Sequence, residues 1–395
     1  MKKGIGMTRK AAVVMAALAL ILSSACIVAE QEDKIIREVE PPKEVSKLVS
    51  ANTNYAVGSA SLVAMDDMSG FPVKDDLLNL GSDPGGVGVT SVFGAERVTM
   101  VERSADEVLF LNPANNLAVI DSYTVGAGFW DGNPQDVLVY SKEKAYVSRW
   151  GDDDVLVLNP TTGAKPASIT FAGIPDNADG LARPAAMMMA GNSVLVALQD
   201  MDVSFGFGST AIGTGKLAVI NPADDTVSTS VDLGFYNPID LEYSERNELV
   251  LVACAGRFGD SFWMAHPEES AVLAVQPHPP YGVTTIITGD SVGGNIYKVE
   301  EDGRGNAYIL VANGFMNEDR MLKLDLSTGT VDPDFRFPDV SNFNEDLSDL
   351  AVTPEGYLAV GDRIGRRIVV FDILGDVAIG YVPLTVAPME FAVLE

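Results

Sequence analysis

Val155-Leu-Val-Leu-Asn-Pro160 is one copy of a short apolar run that leads into a polar turn, and the chain carries seven such copies. The other six are Ser-Leu-Val-Ala-Met-Asp (61–66), Val-Leu-Phe-Leu-Asn-Pro (108–113), Leu-Ala-Val-Ile-Asn-Pro (217–222), Val-Leu-Ala-Val-Gln-Pro (272–277), Met-Leu-Lys-Leu-Asp-Leu (321–326) and Ile-Val-Val-Phe-Asp-Ile (368–373). Self-similarity at a spacing of about 40–60 residues indicates one structural unit repeated along the chain. The repeat decides the fold class and leaves the function open, because one fold hosts many activities.

Each unit contains four strand-like runs rich in Val, Leu, Ala and Tyr, separated by Gly, Asn, Asp and Pro. In the third unit these runs are 155–159, 167–171, 185–189 and 194–198. Four-stranded units repeated around a centre predict an all-β protein, a β-propeller. With the strands of a blade named A to D from the centre outward, the repeated apolar run is strand C.

The two ends of the chain complement each other. The last unit ends with one further strand, Met389–Leu394, whereas the first unit lacks a strand A. We assign strands B, C and D of that first blade to residues 53–80, with Tyr55-Ala-Val57 before its strand C. The C-terminal strand can complete this blade and remove two open sheet edges. We therefore predict a seven-bladed β-propeller over residues 53–395, closed by the C-terminal strand as innermost strand of the first blade.

Several segments resemble the YVTN-type β-propeller repeat. They are Asn133-Pro-Gln-Asp136, Ala145-Tyr-Val-Ser148, Ile309-Leu-Val-Ala-Asn313 and Val352-Thr-Pro-Glu-Gly356. That family's pattern is a Gly-Pro-x-Gly start, an apolar strand, a Pro-Asp-Gly-Lys turn and Tyr-Val-Ala-Asn. The resemblance implies the propeller fold and no particular chemistry, because the family includes surface-layer, periplasmic and lactonase-like members.

Residues 1–25 have the pattern of an export signal: four basic residues, an apolar run over Ala11–Leu22, and small residues before Cys26. Ser23-Ser24-Ala25-Cys26 resembles a bacterial lipoprotein signal, which implies lipidation of Cys26, and Ile27 then implies sorting to the outer membrane. Ordinary cleavage nearby and an uncleaved apolar anchor are the alternatives. Residues 30–52 are charged and contain a Pro pair, so we predict a lipid-anchored or flexible tether over residues 26–52, with a short helix over residues 33–39 packed on the domain as the alternative. We expect an exported protein, a lipoprotein of the outer membrane that faces the periplasm or the cell surface.

The chain is strongly acidic, with 55 Asp and Glu residues against 27 Lys and Arg. Such a charge argues against nucleic acid and anionic membrane surfaces as partners. It is compatible with a well-solvated surface in a saline habitat, or with attraction of cations and basic partners. Contact with the membrane is expected only through the N-terminal anchor.

The rim that carries the B–C loops and the D–A crossings stands out by its aromatic residues. The B–C loops of blades 4 and 5 are long, over residues 200–215 and 256–270. Aromatic residues in loops are enriched at binding hot spots, although they can also pack the loops onto the blades. The residues that we predict to bind a partner are Trp130, Trp150, Phe205, Phe207, Phe262 and Trp263.

Acidic residues recur at the start of strand A on the same rim. The aligned positions of the seven units are Gly86, Asp136, Ala186, Asp240, Ile296, Asp349 and Glu390. Strand A lines the central channel, so Asp136, Asp240, Asp349 and Glu390 are predicted to ring its mouth, where carboxylate oxygens could bind Ca²⁺. The alternative is that each carboxylate caps its own turn through a backbone N–H.

The motifs of common catalytic sites are absent from the sequence. There are two histidines, and no Ser-His-Asp arrangement, zinc spacing or phosphate-binding loop. We therefore predict no catalytic residue and no cofactor except Ca²⁺ as an option. The favoured function is a non-catalytic cell-envelope propeller that binds a protein, peptide or glycan through its loop-rich rim. The alternative is a Ca²⁺-dependent lactonase or hydrolase that uses Asp136, Asn237, Asp240, Asp349 and Glu390; a quinoprotein dehydrogenase is a more distant hypothesis.

Overall fold

Seven four-stranded antiparallel sheets, each with its strands in the order A-B-C-D, form the blades of a β-propeller. The computed structural model describes residues 45–127, 132–177, 179–202, 210–211, 213–257, 265–313, 319–335 and 346–394. Blade 1 consists of β1 (Lys47–Thr53), β2 (Gly58–Ala64) and β3 (Val73–Lys74) as strands B to D, with β30 (Pro388–Leu394) as strand A. The predicted fold class is confirmed.

The other blades follow in chain order, each from strand A to strand D. Blade 2 is β4 (Pro84–Thr90), β5 (Arg97–Glu102), β6 (Glu107–Asn112) and β7 (Ala118–Thr124); blade 3 is β8 (Pro134–Ser141), β9 (Lys144–Arg149), β10 (Asp154–Leu158) and β11 (Ala167–Thr170); blade 4 is β12 (Pro184–Ala190), β13 (Ser193–Leu198), β16 (Lys216–Asn221) and β17 (Thr226–Asp232). Blade 5 is β18 (Pro238–Ser244), β19 (Leu249–Cys254), β20 (Ala271–Val275) and β21 (Val283–Thr288); blade 6 is β22 (Asn295–Glu301), β23 (Asn306–Ala312), β24 (Arg320–Asp325) and β25 (Thr330–Val331); blade 7 is β26 (Leu347–Val352), β27 (Tyr357–Asp362), β28 (Arg367–Asp372) and β29 (Val377–Pro383).

A few short elements lie outside the blades. In the long B–C loop of blade 4, β14 (Met201–Asp202) pairs with β15 (Thr210–Ala211) as a two-stranded ribbon. One helical turn, α1 (Gly289–Val292), lies in the crossing from blade 5 to blade 6, and 3₁₀ turns cover Asp67–Ser69, Pro113–Asn115 and Pro267–Glu269. Within the described ranges, no helix is both long and apolar enough to cross a membrane.

The C-terminal strand closes the ring, as the unmatched ends of the repeat predict. β30 pairs antiparallel with β1, from Lys47 opposite Leu394 to Asn52 opposite Pro388. This pairing joins the two ends of the chain in one sheet and supplies the missing inner strand of blade 1. A ring closed in this way has no open sheet edge between its first and last blades.

The first strand of the propeller begins before the predicted boundary at residue 53. Lys47–Thr53 is strand B of blade 1, so the end of the predicted tether belongs to the ring, and Tyr55–Val57 lies in the turn that follows. The strand was missed because Ser50 and Asn52 make it look hydrophilic. Both side chains are buried in a hydrogen-bond network, in which the Ser50 hydroxyl donates to Asn52 Oδ1 at 2.6 Å and Asn52 Nδ2 donates to Ser61 Oγ at 2.9 Å.

The Asn or Asp that ends the repeated apolar run has a common structural role. Its side-chain oxygen accepts a backbone N–H two residues later, which fixes the C–D turn as an Asx turn. Asn112 accepts from Ala114, Asn159 from Thr161, Asn221 from Ala223, Asp325 from Ser327, Asp372 from Leu374 and Asp66 from Met68. The repeat is therefore a strand joined to the residue that turns the chain after it.

The hydrophobic core lies between neighbouring blades. One cluster joins Tyr146 and Val155 of blade 3 to Val194 and Ala218 of blade 4, all of them buried. Burying such a side chain contributes roughly 1.5–3 kcal/mol. Because strands B and C are covered on both faces by adjacent blades, their sequences are continuously apolar rather than alternating.

Candidate functional site: the mouth of the channel

The four predicted carboxylates converge on one cavity at the rim where the A strands begin. Its volume is about 400 Å³, and its lining includes Asp136, Asp240, Asp349 and Glu390 from blades 3, 5, 7 and 1. Two cationic side chains that sequence reasoning missed, Arg103 and Lys298, line it as well. We call this cavity the upper mouth.

Each of these carboxylates accepts a backbone N–H from strand A of the next blade. Asp136 Oδ2 accepts from Met187 at 2.8 Å, Asp240 Oδ2 from Val299 at 2.9 Å and Asp349 Oδ2 from Phe391 at 2.6 Å, and Glu390 accepts from Gly86. The alternative interpretation of the sequence is that each carboxylate caps its own turn by accepting a backbone N–H. The carboxylates do accept backbone N–H groups, but these N–H groups belong to the neighbouring blade. Asp136 alone also accepts one in its own strand, from Val137 at 2.7 Å.

The innermost strand of each sheet explains why such N–H groups exist. Strand A pairs with strand B on one side only, so the N–H groups on its channel side have no strand partner. An unpaired buried N–H is costly, and a carboxylate is a strong acceptor for it. The carboxylates thus act as links between neighbouring blades along the channel wall.

Two cations complete these links. Lys298 Nζ lies 3.0 Å from Asp240 Oδ1 and 2.8 Å from Asp349 Oδ1, so one ammonium group joins blades 5, 6 and 7. Arg103 Nη2 lies 2.6 Å from Glu390 Oε1. In Asp240, Asp349 and Glu390, one oxygen receives a backbone N–H and the other receives a cationic side chain.

Burial shifts the protonation of these groups. It raises the pKa of Asp136 to about 6, against the two N–H bonds that favour its charged form. Burial likewise raises the pKa of Asp349 to about 6, although Lys298 opposes the shift. Burial also disfavours the charge on Lys298, but Asp240 and Asp349 outweigh it and hold the Lys298 pKa above its usual value.

Trp150 is the one predicted binding aromatic within the described residues. Its indole Nε1 donates to Gln199 Oε1 at 2.7 Å, and Gln199 lines the upper mouth. The Arg183 guanidinium lies over the ring at 4.3 Å from its centroid, a cation–π contact. Trp150 is therefore half-buried beside the channel. Trp130, Phe205, Phe207, Phe262 and Trp263 lie outside the described residues, as do Cys26 and the predicted signal segment.

Asn237, which the hydrolase hypothesis requires, is directed elsewhere. Its side chain is buried and its Nδ2 donates to Gly256 O at 3.2 Å, and it does not line the upper mouth. Lys298 belongs to a charge pattern that is visible in the sequence. Charged residues alternate along two A strands, as Asp240 and Glu242 in β18 and as Lys298 and Glu300 in β22. Such i, i+2 spacing places both members on the same face of a strand.

One further group of the described residues brings metal-ligand atoms together. His266, Glu268 and Glu269, in the B–C loop of blade 5, have ligand atoms within 4.8 Å of one another. Glu269 is paired with the Arg257 guanidinium at 2.5 Å, and His266 Nδ1 lies 3.0 Å from Glu268. A metal ion would have to compete with Arg257 for Glu269, so this group is a weak candidate.

Comparisons with known proteins identify the fold of this chain but no family. No protein-family model and no curated protein matches the sequence. Solved structures of similar fold include a protein from Lactobacillus plantarum (12% identity, TM-score 0.61, covering 89% of this chain and 100% of that one) and a putative 6-phosphogluconolactonase from Bacteroides fragilis (11%, 0.59, 91% and 100%). Hydrazine synthase from Kuenenia stuttgartiensis is also similar (16%, 0.57, 78% and 90%). At such low identities the likeness shows that this chain is a β-propeller, and nothing about its activity.

Proposed function

We propose that the protein is a non-catalytic, exported β-propeller that binds a protein, peptide or glycan at the cell envelope through the rim around the upper mouth. The proposal rests on the observation that the carboxylates of the upper mouth join neighbouring blades. In Asp240, Asp349 and Glu390, both oxygens are engaged by a backbone N–H and by Lys298 or Arg103. A rigid polar floor of this kind suits recognition by the loops above it.

The same contacts weigh against the alternative, a Ca²⁺-dependent lactonase or hydrolase. Ca²⁺ needs six to eight oxygen ligands. In the upper mouth, the Lys298 ammonium lies between Asp240 and Asp349, where a shared cation would have to bind. The metal hypothesis for Asp136, Asp240, Asp349 and Glu390 stays a prediction, and Ca²⁺ titration tests it.

The location of Trp150 supports the choice of rim. Its hydrogen bond to Gln199 connects the B–C loop of blade 3 to the wall of the upper mouth. A ligand that occupies the mouth would therefore lie close to an aromatic side chain, which is a common arrangement in binding sites. Lipidation of Cys26, as the leader predicts, would hold the propeller at the membrane.

The test compares the two aromatic residues predicted to bind in the B–C loop of blade 5 with an exposed apolar residue of the opposite rim. Phe262→Ala combined with Trp263→Ala should abolish binding of labelled glycans, peptides or envelope proteins to the full chain. Leu374→Ala is the matched control, because Leu374 lies in a C–D turn of the opposite rim and is 76% exposed. If the double variant and the Leu374→Ala control bind equally well and have unchanged melting temperatures, the rim around the upper mouth is not the binding surface.

A further inference from the structure

The opposite end of the channel contains a second and larger cavity. Its volume is about 750 Å³, and it is lined by the ends of A strands and by the A–B turns of blades 5 to 7. We call it the lower mouth. Its charged lining residues are Glu242, Glu245, Arg246, Glu300, Glu301, Asp302 and Arg304. Five carboxylates thus face two guanidinium groups.

In the described part of the chain, the two arginines form no close ion pair with these carboxylates, although the charge of Arg246 favours the ionised form of Glu301. Among the described residues, neither Arg246 nor Arg304 forms an ion pair within 4.0 Å. Arg246 Nη1 instead donates to the backbone oxygen of Arg304 at 2.6 Å. The lower mouth therefore has an excess of negative groups over paired cations.

Two of the carboxylates lie deep in the channel. Asp240 is paired with Lys298 across β18 and β22, and Glu242 and Glu300 are the next channel-facing residues along the same strands. Glu300 Oε1 accepts the N–H of Val352 at 2.7 Å. The Glu242 carboxylate receives no hydrogen bond from the part of the chain that the structure describes, although its backbone belongs to the β18–β19 pairing.

Glu301 is an independent sign that a donor is missing. The residue lines the lower mouth and is 7% exposed; the Ser244 side chain hydrogen-bonds its carboxylate, but Oε1 has no hydrogen-bond partner among the described residues. A buried carboxylate oxygen without a donor is strongly unfavourable. A cationic ligand with N–H groups would satisfy Glu301 and Glu242 together.

The spread of the carboxylates distinguishes an organic cation from a metal ion. Within the described ranges, the ligand atoms of His266, Glu268 and Glu269 come within 4.8 Å of one another, whereas those of the lower mouth form no such group of three. A single metal ion could not bridge them without rearrangement. We propose that the lower mouth binds a small organic cation of the diamine class, with one ammonium group at Glu242 and Glu300 and the other at Glu301.

Protonation supports this geometry and supplies a readout. Burial, and then Glu300, raise the pKa of Glu242, and burial raises the pKa of Glu300 to about 8. The charged groups that act on this pair are Asp240, Lys298, Glu301 and Asp349. A cation that binds here must displace protons, so its affinity should increase between pH 6 and pH 9.

The test is isothermal titration of the full chain with 1,4-diaminobutane, with butylamine and CaCl₂ as separate arms. Diaminobutane should bind, and Glu242→Gln should weaken its affinity by about tenfold or more. The matched control is Glu143→Gln, since Glu143 is an exposed acid in the corresponding A–B turn of blade 3. Glu300→Gln keeps an acceptor for Val352 and serves as the second variant.

Several outcomes would overturn the proposal. One is the absence of diaminobutane binding, and another is an unchanged affinity in the Gln variants. Butylamine that binds as tightly as the diamine would remove the need for two ammonium groups, and Ca²⁺ binding lost in the same variants would make the site a metal site. In the wild-type chain, a binding heat independent of the buffer's ionisation enthalpy would exclude proton release and with it the proposed contacts.

Discussion

The upper and lower mouths of the channel contain similar numbers of carboxylates, but these carboxylates differ in their hydrogen bonds and ion pairs. In the upper mouth, Asp240 and Asp349 each bond a backbone N–H of the next blade and share the Lys298 ammonium. In the lower mouth, the Glu242 carboxylate receives no hydrogen bond from the described residues, and Glu301 Oε1 has no partner there. The difference separates acids that hold the ring together from acids that remain able to bind a ligand.

Removing the shared cation of the upper mouth should have the largest effect on stability. Lys298→Met leaves Asp240 and Asp349 as unpaired carboxylates in a buried setting, and we expect a loss of about 3–5 kcal/mol in the free energy of unfolding. Urea denaturation measures it. Lys323→Met is the control, because Lys323 pairs with the exposed Asp376 at 2.8 Å and should cost less than about 1 kcal/mol. Equal losses in the two variants would contradict a structural role for Lys298.

Stability should decrease as the pH rises from 6 to 8. Burial raises the pKa of Glu300 to about 8, above that of the unfolded chain, so the folded state binds more protons in this range. The slope is then negative, at most about 1.4 kcal/mol per pH unit for one group, or roughly 2 kcal/mol over the interval. Asp136 and Asp349, each at about 6, extend the same trend to lower pH.

Melting temperatures across this range check the pH prediction. Glu300→Gln should flatten the curve between pH 6 and pH 8, and a wild-type curve that rises with pH would contradict the assignment. Glu143→Gln, at an exposed acid of the same rim, should leave the slope unchanged.

A glycine substitution tests the contact between blades at the upper mouth. Gly86 has φ +53°, donates its N–H to Glu390, and a Cβ there would lie 2.5 Å from Gln135 O. Gly94 has φ +84° but nothing within 4 Å of the added atom. Both Ala variants carry backbone strain of about 1 kcal/mol, and Gly86→Ala should cost about 1–3 kcal/mol more because two backbones must separate. Equal melting temperatures would show that this seam is loosely packed.

The ring could be predicted from the sequence because its signals are local. Three features can be recognised from residues that are close together in the sequence: the repeated apolar run, the Asn or Asp that ends it, and the unmatched C-terminal strand. The strand at Lys47–Thr53 could not be predicted in this way, because Ser50 and Asn52 are polar and become buried only through partners such as Ser61.

The candidate site was predicted in position and not in bonding. Alignment of the turns places Asp136, Asp240, Asp349 and Glu390 at one opening, and the structure brings them to one cavity. Their partners are backbone N–H groups of other blades, which carry no sequence signal. Lys298 and Glu242 were within reach of the sequence through their alternation with Asp240 and Glu300 along the inner strands.

The melting temperature with and without millimolar Ca²⁺ tests most directly whether Lys298 occupies the place of a metal ion. A ligand that binds only the folded state raises the melting temperature according to its affinity and concentration. Our account predicts no shift for the wild-type chain and a rise for Lys298→Met, in which Asp240 and Asp349 would be free to bind a cation. A shift in the wild-type chain that disappears in Asp349→Asn would contradict it.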